Sequence, residues 1–196
     1  MMPEEIVSRY GFDTVGAVTR TSDNVLILGF ETRPERDLDE FLGGGRPRTL
    51  GFENHFVPMV RPLWDEIRER GYAVRQERDV SFPIKRYALF AGIGYQGKNT
   101  LILHPIYGAR LRFIALVMSM PIASSRGIIY KCKEQRLSVR CYSCASWCVR
   151  RCPVQALTGY RLPDKTKCIA YEQLADPTPN EVHCNACWKA CEASDG

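Results

Sequence analysis

Long apolar runs are missing from these 196 residues. The longest, Phe113 to Met118, is far too short to cross a bilayer, which speaks against membrane insertion. The opening MMPEEIVSRYGF has no charged start, apolar core or cleavage site, so a secretory route is not expected. Repeats and low-complexity tracts are absent too. Histidine is scarce: His55, His104 and His183 are scattered and read as surface or packed residues, and only His183 adjoins a candidate ligand. No acidic side chain occurs between Lys98 and Pro121, an absence that matters below.

Cysteine is plentiful, with nine in the chain. Four of them stand in CYSCASWCVRRCP as Cys141-x2-Cys144-x3-Cys148-x3-Cys152-Pro153. This is one residue longer between the second and third ligand than the bacterial ferredoxin run C-x2-C-x2-C-x3-C-P. Such spacing turns three thiolates toward one inorganic cluster and directs the fourth, before proline, to another. Downstream lie a solitary Cys168 and Cys184-x2-Cys187-x3-Cys191. Leaving out Cys132 as a spare buried thiol, eight cysteines remain, the number that two 4Fe-4S clusters need. The crossed arrangement gives Cys141, Cys144, Cys148 and Cys191 to one cluster, and Cys152, Cys168, Cys184 and Cys187 to the other.

Zinc is the first alternative, because paired C-x2-C knuckles also describe zinc ribbons. A disulfide framework is the second, and it fits poorly with a reducing cytoplasm, the compartment expected for so many free thiols. The cysteine-proline ending and the fully used count favour clusters. A bulge ahead of Cys148 would absorb the extra residue after Cys144.

The formal charge of +5 counts every cysteine as neutral. Four thiolates around an oxidised 4Fe-4S core carry a net charge of about −2, so two clusters would bring the chain to about +1. Lys131, Lys133, Arg136, Arg140, Arg150, Arg151, Lys165 and Lys167 all lie near ligands in sequence and would compensate that charge. A docking surface for an acidic electron donor or for RNA is the sharper reading of the same residues.

The remainder reads as an α/β or α+β layer. Helices are expected over Pro3 to Tyr10, stopped by Gly11; over Glu35 to Leu42, with Leu38, Phe41 and Leu42 inward; around Val60, Leu63 and Ile67, with Pro62 in the first turn and Gly71 as the stop; and from Pro83 to Ala91. Strands are expected over Thr14 to Val18, Asn24 to Phe30, Tyr72 to Gln76, Asn99 to Leu103 and Leu111 to Met118. The glycine triplet at Gly43 is a loop, and PIASSRG, Pro121 to Gly127, is the expected joint between residues 1–125 and a cysteine-rich 126–196.

Gly92-Ile-Gly94-Tyr-Gln-Gly97-Lys98-Asn99 satisfies G-x-G-x-x-G but follows a helical pattern and precedes a strand, the reverse of a dinucleotide fingerprint. The missing acidic residue downstream leaves nothing to hold a ribose. The same stretch nearly spells a P-loop, yet Asn99 stands where a hydroxyl must meet magnesium. Three glycines in six residues serve either a tight turn or the close approach of a flat ligand.

AGIGYQGKNTLILHPIYGARLRF, Ala91 to Phe113, resembles the segment AGLGW-x-GK-[NH]-[TS]-L-[IL]-[IL] of epoxyqueuosine reductases and, more distantly, of reductive dehalogenases. The cysteine order resembles theirs, including Cys168-Ile-Ala-Tyr171, and Gly11 to Gly16 resembles their opening G-F-x-x-V-G. The resemblance implies a nitroreductase-like, cobalamin-binding layer followed by a ferredoxin-like domain with two 4Fe-4S clusters. It further implies a corrinoid resting on Gly92, Gly94, Tyr95, Gly97 and Lys98, with one cluster near enough to reduce it. Asp79 is the candidate for the family's proton-donating aspartate, against a solvated loop carboxylate; it lies four residues before Pro83, where the family places its acid three before. Tyr95 replaces a tryptophan, Glu192 replaces a proline, and the likeness is to a short form lacking the C-terminal helical repeats.

The expected function is therefore that of an iron-sulfur oxidoreductase fed by an external low-potential electron donor, its substrate a small molecule, a corrinoid protein or a tRNA. One alternative is a non-catalytic electron carrier or activator of a corrinoid protein. Another is a zinc-stapled module binding RNA through Lys131 to Arg140. Trp147 and Trp188, each beside a ligand cysteine, are expected to shield a cluster from water.

Overall fold

A computed structural model describes residues 3–40, 50–77, 82–122, 138–168 and 184–192. The chain runs α1 (Pro3–Tyr10), β1 (Thr14–Thr19), β2 (Asn24–Glu31), a π-helical turn (Phe52–Phe56) leading into α2 (Val57–Glu69), β3 (Val74–Glu77) and α3 (Ile84–Phe90). It continues with β4 (Tyr95–Gln96), β5 (Ile102–Leu103), β6 (Leu111–Met118), α4 (Arg140–Ser143), α5 (Trp147–Arg150) and α6 (Ala186–Glu192).

The main sheet has the spatial order β1-β2-β6-β3, and every pairing in it is antiparallel. That resolves the α/β or α+β expectation to α+β. The continuous apolar run of β2 follows from its central place, because side chains alternate across a strand and here both faces are covered. Leu26, Leu28 and Phe30 join Ile6, Phe56, Leu63 and Ile67 on the face under α1 and α2. Val25 and Ile27 point the other way and meet Ala88, Ala91, Ile93 and Ile102 of α3 and the chain after it. β6 divides in the same manner, with Ile114, Leu116 and Met118 on the first face and Leu111, Ala115 and Val117 on the second. Fully burying each large aliphatic is worth ~1.5–3 kcal/mol, so the sheet is held from both sides.

The expected helix over 35–42 is not present across its described part. Arg33 and Arg36 close a tight antiparallel bridge instead. Polar side chains capture the backbone donors a helix would use: the Leu38 N–H donates to Thr32 Oγ1 at 3.0 Å and the Asp39 N–H to Asp37 Oδ1 at 2.9 Å. Leu38 is nevertheless fully buried; residues 41–49 lie outside the described residues, with the glycine triplet. α2 also starts earlier than its apolar spacing indicates, because the π turn precedes it. Pro62 therefore stands inside the helix rather than in its first turn, where it removes one N–H from the ladder. Gly71 ends the helix with φ +83°, a conformation that favours glycine. Of the expected strand over 99–103, only Ile102 and Leu103 pair, with Tyr95 and Gln96.

Candidate metal centre

The glycine-rich stretch folds into a small hairpin. Gly92 leaves α3 with φ +77°, its N–H donating to Leu89 O at 3.0 Å. β4 then pairs with β5, Tyr95 opposite Leu103 and Gln96 opposite Ile102. The turn closes through Gly97 N–H to Leu101 O at 2.9 Å and Leu101 N–H to Asn99 Oδ1 at 3.1 Å. A Cβ at Gly94 would stand 2.5 Å from Leu103 O, and one at Gly97 2.7 Å from Asn99 Oδ1. Both glycines are thus required by the hairpin's own closure. A helix precedes the stretch and a strand follows it, as the rejection of a dinucleotide site requires.

The cysteine-rich segment is docked on this hairpin. The Lys98 backbone N–H donates to Cys141 Sγ at 3.4 Å, and Lys98 Nζ donates to Cys144 O at 3.0 Å. Gln96 accepts from the Ser138 N–H at 3.0 Å through its carbonyl, and its side-chain Nε2 donates to Tyr160 O at 2.7 Å. The Tyr160 N–H donates to Lys98 O at 2.9 Å. Asn99, 2 % exposed, directs Nδ2 at Cys187 O, 3.5 Å away. Leu103, Ala109 and Cys141 form a small apolar cluster with Leu101, Tyr160, Trp188 and Cys191 against it.

Cys141, Cys144 and Cys191, distant in sequence, line a single cavity of about 420 Å³ with Leu103 and Trp147. Cys148, buried, lies close enough to Cys141 and Cys144 to feel their charge; burial foremost, and those neighbours next, push its thiol up. The extra residue of C-x3-C is absorbed at Ser146, which takes the left-handed conformation, φ 60° and ψ 39°, just before α5. On the other side, burial and then Cys184 push the Cys187 thiol up to about 11, opposed by the charge of Lys85, with Cys148 and Cys168 also raising it. Cys152 Sγ accepts the Ala156 N–H at 3.3 Å. Among the described residues no three Cys, His, Asp or Glu converge as ligands of a single ion.

α6, which carries Cys187 and Cys191, is moored to the sheet by two arginines. Arg110 Nε donates to Glu31 Oε1 at 2.7 Å while its Nη1 reaches Glu192 Oε1 at 3.1 Å. Arg112 forms a two-point pair with Asp39 and lies over the Trp188 ring, 5.7 Å from its centroid. Glu192, at the position the resemblance assigns to proline, thus has a partner of its own. Burial raises Glu31, but hydrogen bonds from Arg110 and Arg33 outweigh it and hold the carboxyl below the usual range.

Of the residues singled out in the sequence, Asp79, Cys132, His183, Lys131, Lys133 and Arg136 lie outside the described residues, as does the joint from residue 123 onward. Trp188 packs, partly buried, against the Leu103, Ala109 and Cys141 cluster, whereas Trp147 is 43 % exposed and holds Arg150 over its ring. His104 is structural, its Nδ1 accepting the Ile106 and Tyr107 N–H groups at 3.1 and 3.3 Å. Tyr95 is 45 % exposed, the ring that the hairpin turns to solvent. Nothing local in the sequence singles out Gln96, Arg110 and Tyr160, because their partners come from distant segments. Asn99 was legible only as the residue that breaks the P-loop pattern.

No family model matches the chain. It is 28% identical over 158 residues to an epoxyqueuosine reductase of Cyclobacterium marinum, covering 76% of this chain and 47% of that protein. It is also 28% identical over 116 residues to the Bacillus anthracis enzyme of the same name, covering 54% and 28%. The chain therefore spans about half or less of the length of these curated relatives. Among solved structures, the epoxyqueuosine reductase of Bacillus subtilis superimposes with a TM-score of 0.65 at 15% identity, over 98% of this chain and 65% of that one. An epoxyqueuosine reductase solved with a modified tRNA-Tyr stem loop gives 0.66 at 14%, over the same shares. A catabolic reductive dehalogenase gives 0.61 at 15%, over 94% and 32%. In sequence the chain is similar to epoxyqueuosine reductases, and it shares their fold.

Proposed function

We propose that the chain acts as an iron-sulfur oxidoreductase of the epoxyqueuosine reductase type, a nitroreductase-like layer followed by a ferredoxin-like domain. Cys141, Cys144, Cys148 and Cys191 hold one 4Fe-4S cluster, and Cys152, Cys168, Cys184 and Cys187 the other. The single observation that carries this reading is the meeting of Cys141, Cys144 and Cys191 in one cavity against the Lys98 hairpin. The raised pKa values of Cys148 and Cys187, each with other cysteines among the causes, also suit a donor set whose negative charge a metal core neutralises. Bound clusters supply one-electron transfer from an external low-potential donor. The chain's own contribution is to orient the sulfurs, donate N–H groups to them and keep water from the inner face.

In the same reading a corrinoid rests at Gly92, Gly94, Tyr95, Gly97 and Lys98, and Asp79 supplies a proton to the substrate. Kinship supports this part, together with the exposed Tyr95 ring and the contact between the hairpin and the Cys141 set. A tRNA substrate is supported by the relative solved with a tRNA stem loop. It also suits a cavity of about 440 Å³ on α2 and the edge strand β3, lined by Arg61, Trp64, Arg68 and Arg75. Among the described residues no helix is long and apolar enough to cross a membrane.

One observation favours a second reading, that of an electron carrier or activator of a corrinoid protein. Gly94 and Gly97 are occupied by the closure of their own hairpin, so the glycines by themselves do not require a macrocycle. Anaerobic purification with iron, sulfide, cobalt and zinc analysis separates the readings. About eight irons with cobalamin taken up supports the enzyme, the same iron without cobalamin uptake supports the carrier, and zinc alone overturns both.

A further inference from the structure

We propose that the Tyr160 hydroxyl donates a hydrogen bond to the sulfur of Cys141 in the loaded protein and so sets the potential of that cluster. The inference rests on the reading of Cys141 as a cluster ligand and adds to it a residue that no spacing pattern marks.

Tyr160 is held unusually firmly for a loop residue. Its backbone has φ +60°, a conformation disfavoured for an aromatic side chain, and the fold keeps it there by taking both peptide groups. The N–H donates to Lys98 O at 2.9 Å, and the carbonyl accepts from Gln96 Nε2 at 2.7 Å. Both partners belong to the hairpin that also binds Cys141, so tyrosine and cysteine are positioned by one rigid element. The ring packs in the cluster of Leu103, Ala109 and Cys141.

The hydroxyl itself is buried and has no well-formed hydrogen bond in the described structure. Leaving such a group unpaired is unfavourable, so its position calls for an acceptor. Its ring shares that small cluster with Cys141. Trp188 Nε1, in the same small cluster as Cys191, is a second buried donor without a partner among the described residues. Two orphaned donors around two candidate ligands of one cluster fit an anionic acceptor there, as a thiolate-bound 4Fe-4S core is. A neutral thiol accepts weakly, but a thiolate bound to iron accepts well. Donation to it stabilises the reduced, more negative state and raises the potential.

The test is a graded series in the full chain: Tyr160→Phe, the unsubstituted protein, and 3-fluorotyrosine placed at 160, whose more acidic phenol is the stronger donor. EPR-monitored potentiometry reads the midpoint of the cluster, with iron and sulfide measured on each sample. The expected order of potential is Phe lowest, Tyr intermediate and fluorotyrosine highest, at equal iron content. Equal potentials across the series with iron retained would overturn the inference while leaving the clusters standing. If Tyr160→Phe loses iron, the comparison of tyrosine with fluorotyrosine still decides. Lack of iron in the unsubstituted protein would instead overturn the cluster reading, and this inference with it.

Discussion

The backbone N–H of Lys98 donates to the sulfur of Cys141 at 3.4 Å, and the lysine ammonium reaches the carbonyl of Cys144. One residue of the glycine hairpin thereby binds the first two cysteines of the run twice over. The hairpin is the mooring point of the cysteine segment, and its precision depends on two glycines.

Gly94→Ala should therefore damage the site without touching a cysteine. The new Cβ meets a backbone oxygen, Leu103 O, which cannot swing away as a side chain would. Overpacking of this kind costs ~1–3 kcal/mol, which for a chain of this size lowers Tm by about 2–4 °C per kcal/mol. Calorimetry of the loaded protein should show that drop, together with lower iron content. An unchanged Tm would mean that the hairpin yields more easily than its geometry indicates.

Arg110→Ala and Glu192→Gln should differ, although each breaks the same bridge to α6. Glu31 is 4 % exposed, and loss of Arg110 leaves it with Arg33 as its arginine partner. The arginine variant is expected to lose about 1–3 kcal/mol, and the Glu192 variant ~0–1, because that carboxylate is more open. Denaturant midpoints compare the two, and equal losses would argue against a buried anchor at Glu31.

Alkaline stability should depend on Tyr10. Its phenol donates to Glu66, which also pairs with Arg9 and Arg70. Burial, then that hydrogen bond, push Tyr10 up to about 12 from an ordinary 10.0, while the bond from Tyr10 foremost holds Glu66 below its ordinary 4.5. The folded state holds the phenolic proton more tightly than the unfolded one. Its contribution is complete below pH 10 and is lost as pH rises toward the folded value; that of Glu66 is complete above the ordinary value and is lost as pH falls through the depressed one. Tyr10→Phe should flatten the alkaline limb of a stability-pH profile. A limb of unchanged steepness would contradict the assignment.

RNA binding, if Arg61 and Arg68 contact phosphates, should weaken with salt in a countable way. Neither has an ion-pair partner among the described residues, and both line the α2–β3 cavity with Trp64. Each substitution to alanine should lower the slope of log affinity against log salt by about 1 for a tRNA stem loop, followed by fluorescence anisotropy. Slopes that stay the same would move the RNA elsewhere on the chain.

Much of this architecture could be read from residues alone. α1, β1, β2 and β6 follow local periodicity, since their apolar spacing and their stops are properties of short segments. The 35–40 segment escaped because Thr32 and Asp37 take up backbone donors, a contest that periodicity does not register. The count and spacing of the cysteines were legible, the meeting of Cys141, Cys144 and Cys191 at one cavity is what the fold adds, and Ser146 shows where the irregular residue goes. What holds them was not: Gln96, Asn99, Arg110 and Tyr160 act across long separations, and nothing local distinguishes them from ordinary polar residues. Asp79 as proton donor and the hairpin as a corrinoid seat are left as proposals for experiment.

The two-cluster reading is tested most directly by iron and sulfide analysis of the air-protected protein beside its Cys191→Ala variant. About eight irons in the unsubstituted chain and about four in the variant, with one cluster signal gone from the EPR spectrum of the reduced protein, is the expected result. A colourless protein without iron after reconstitution, or a variant that keeps both clusters, would contradict the account.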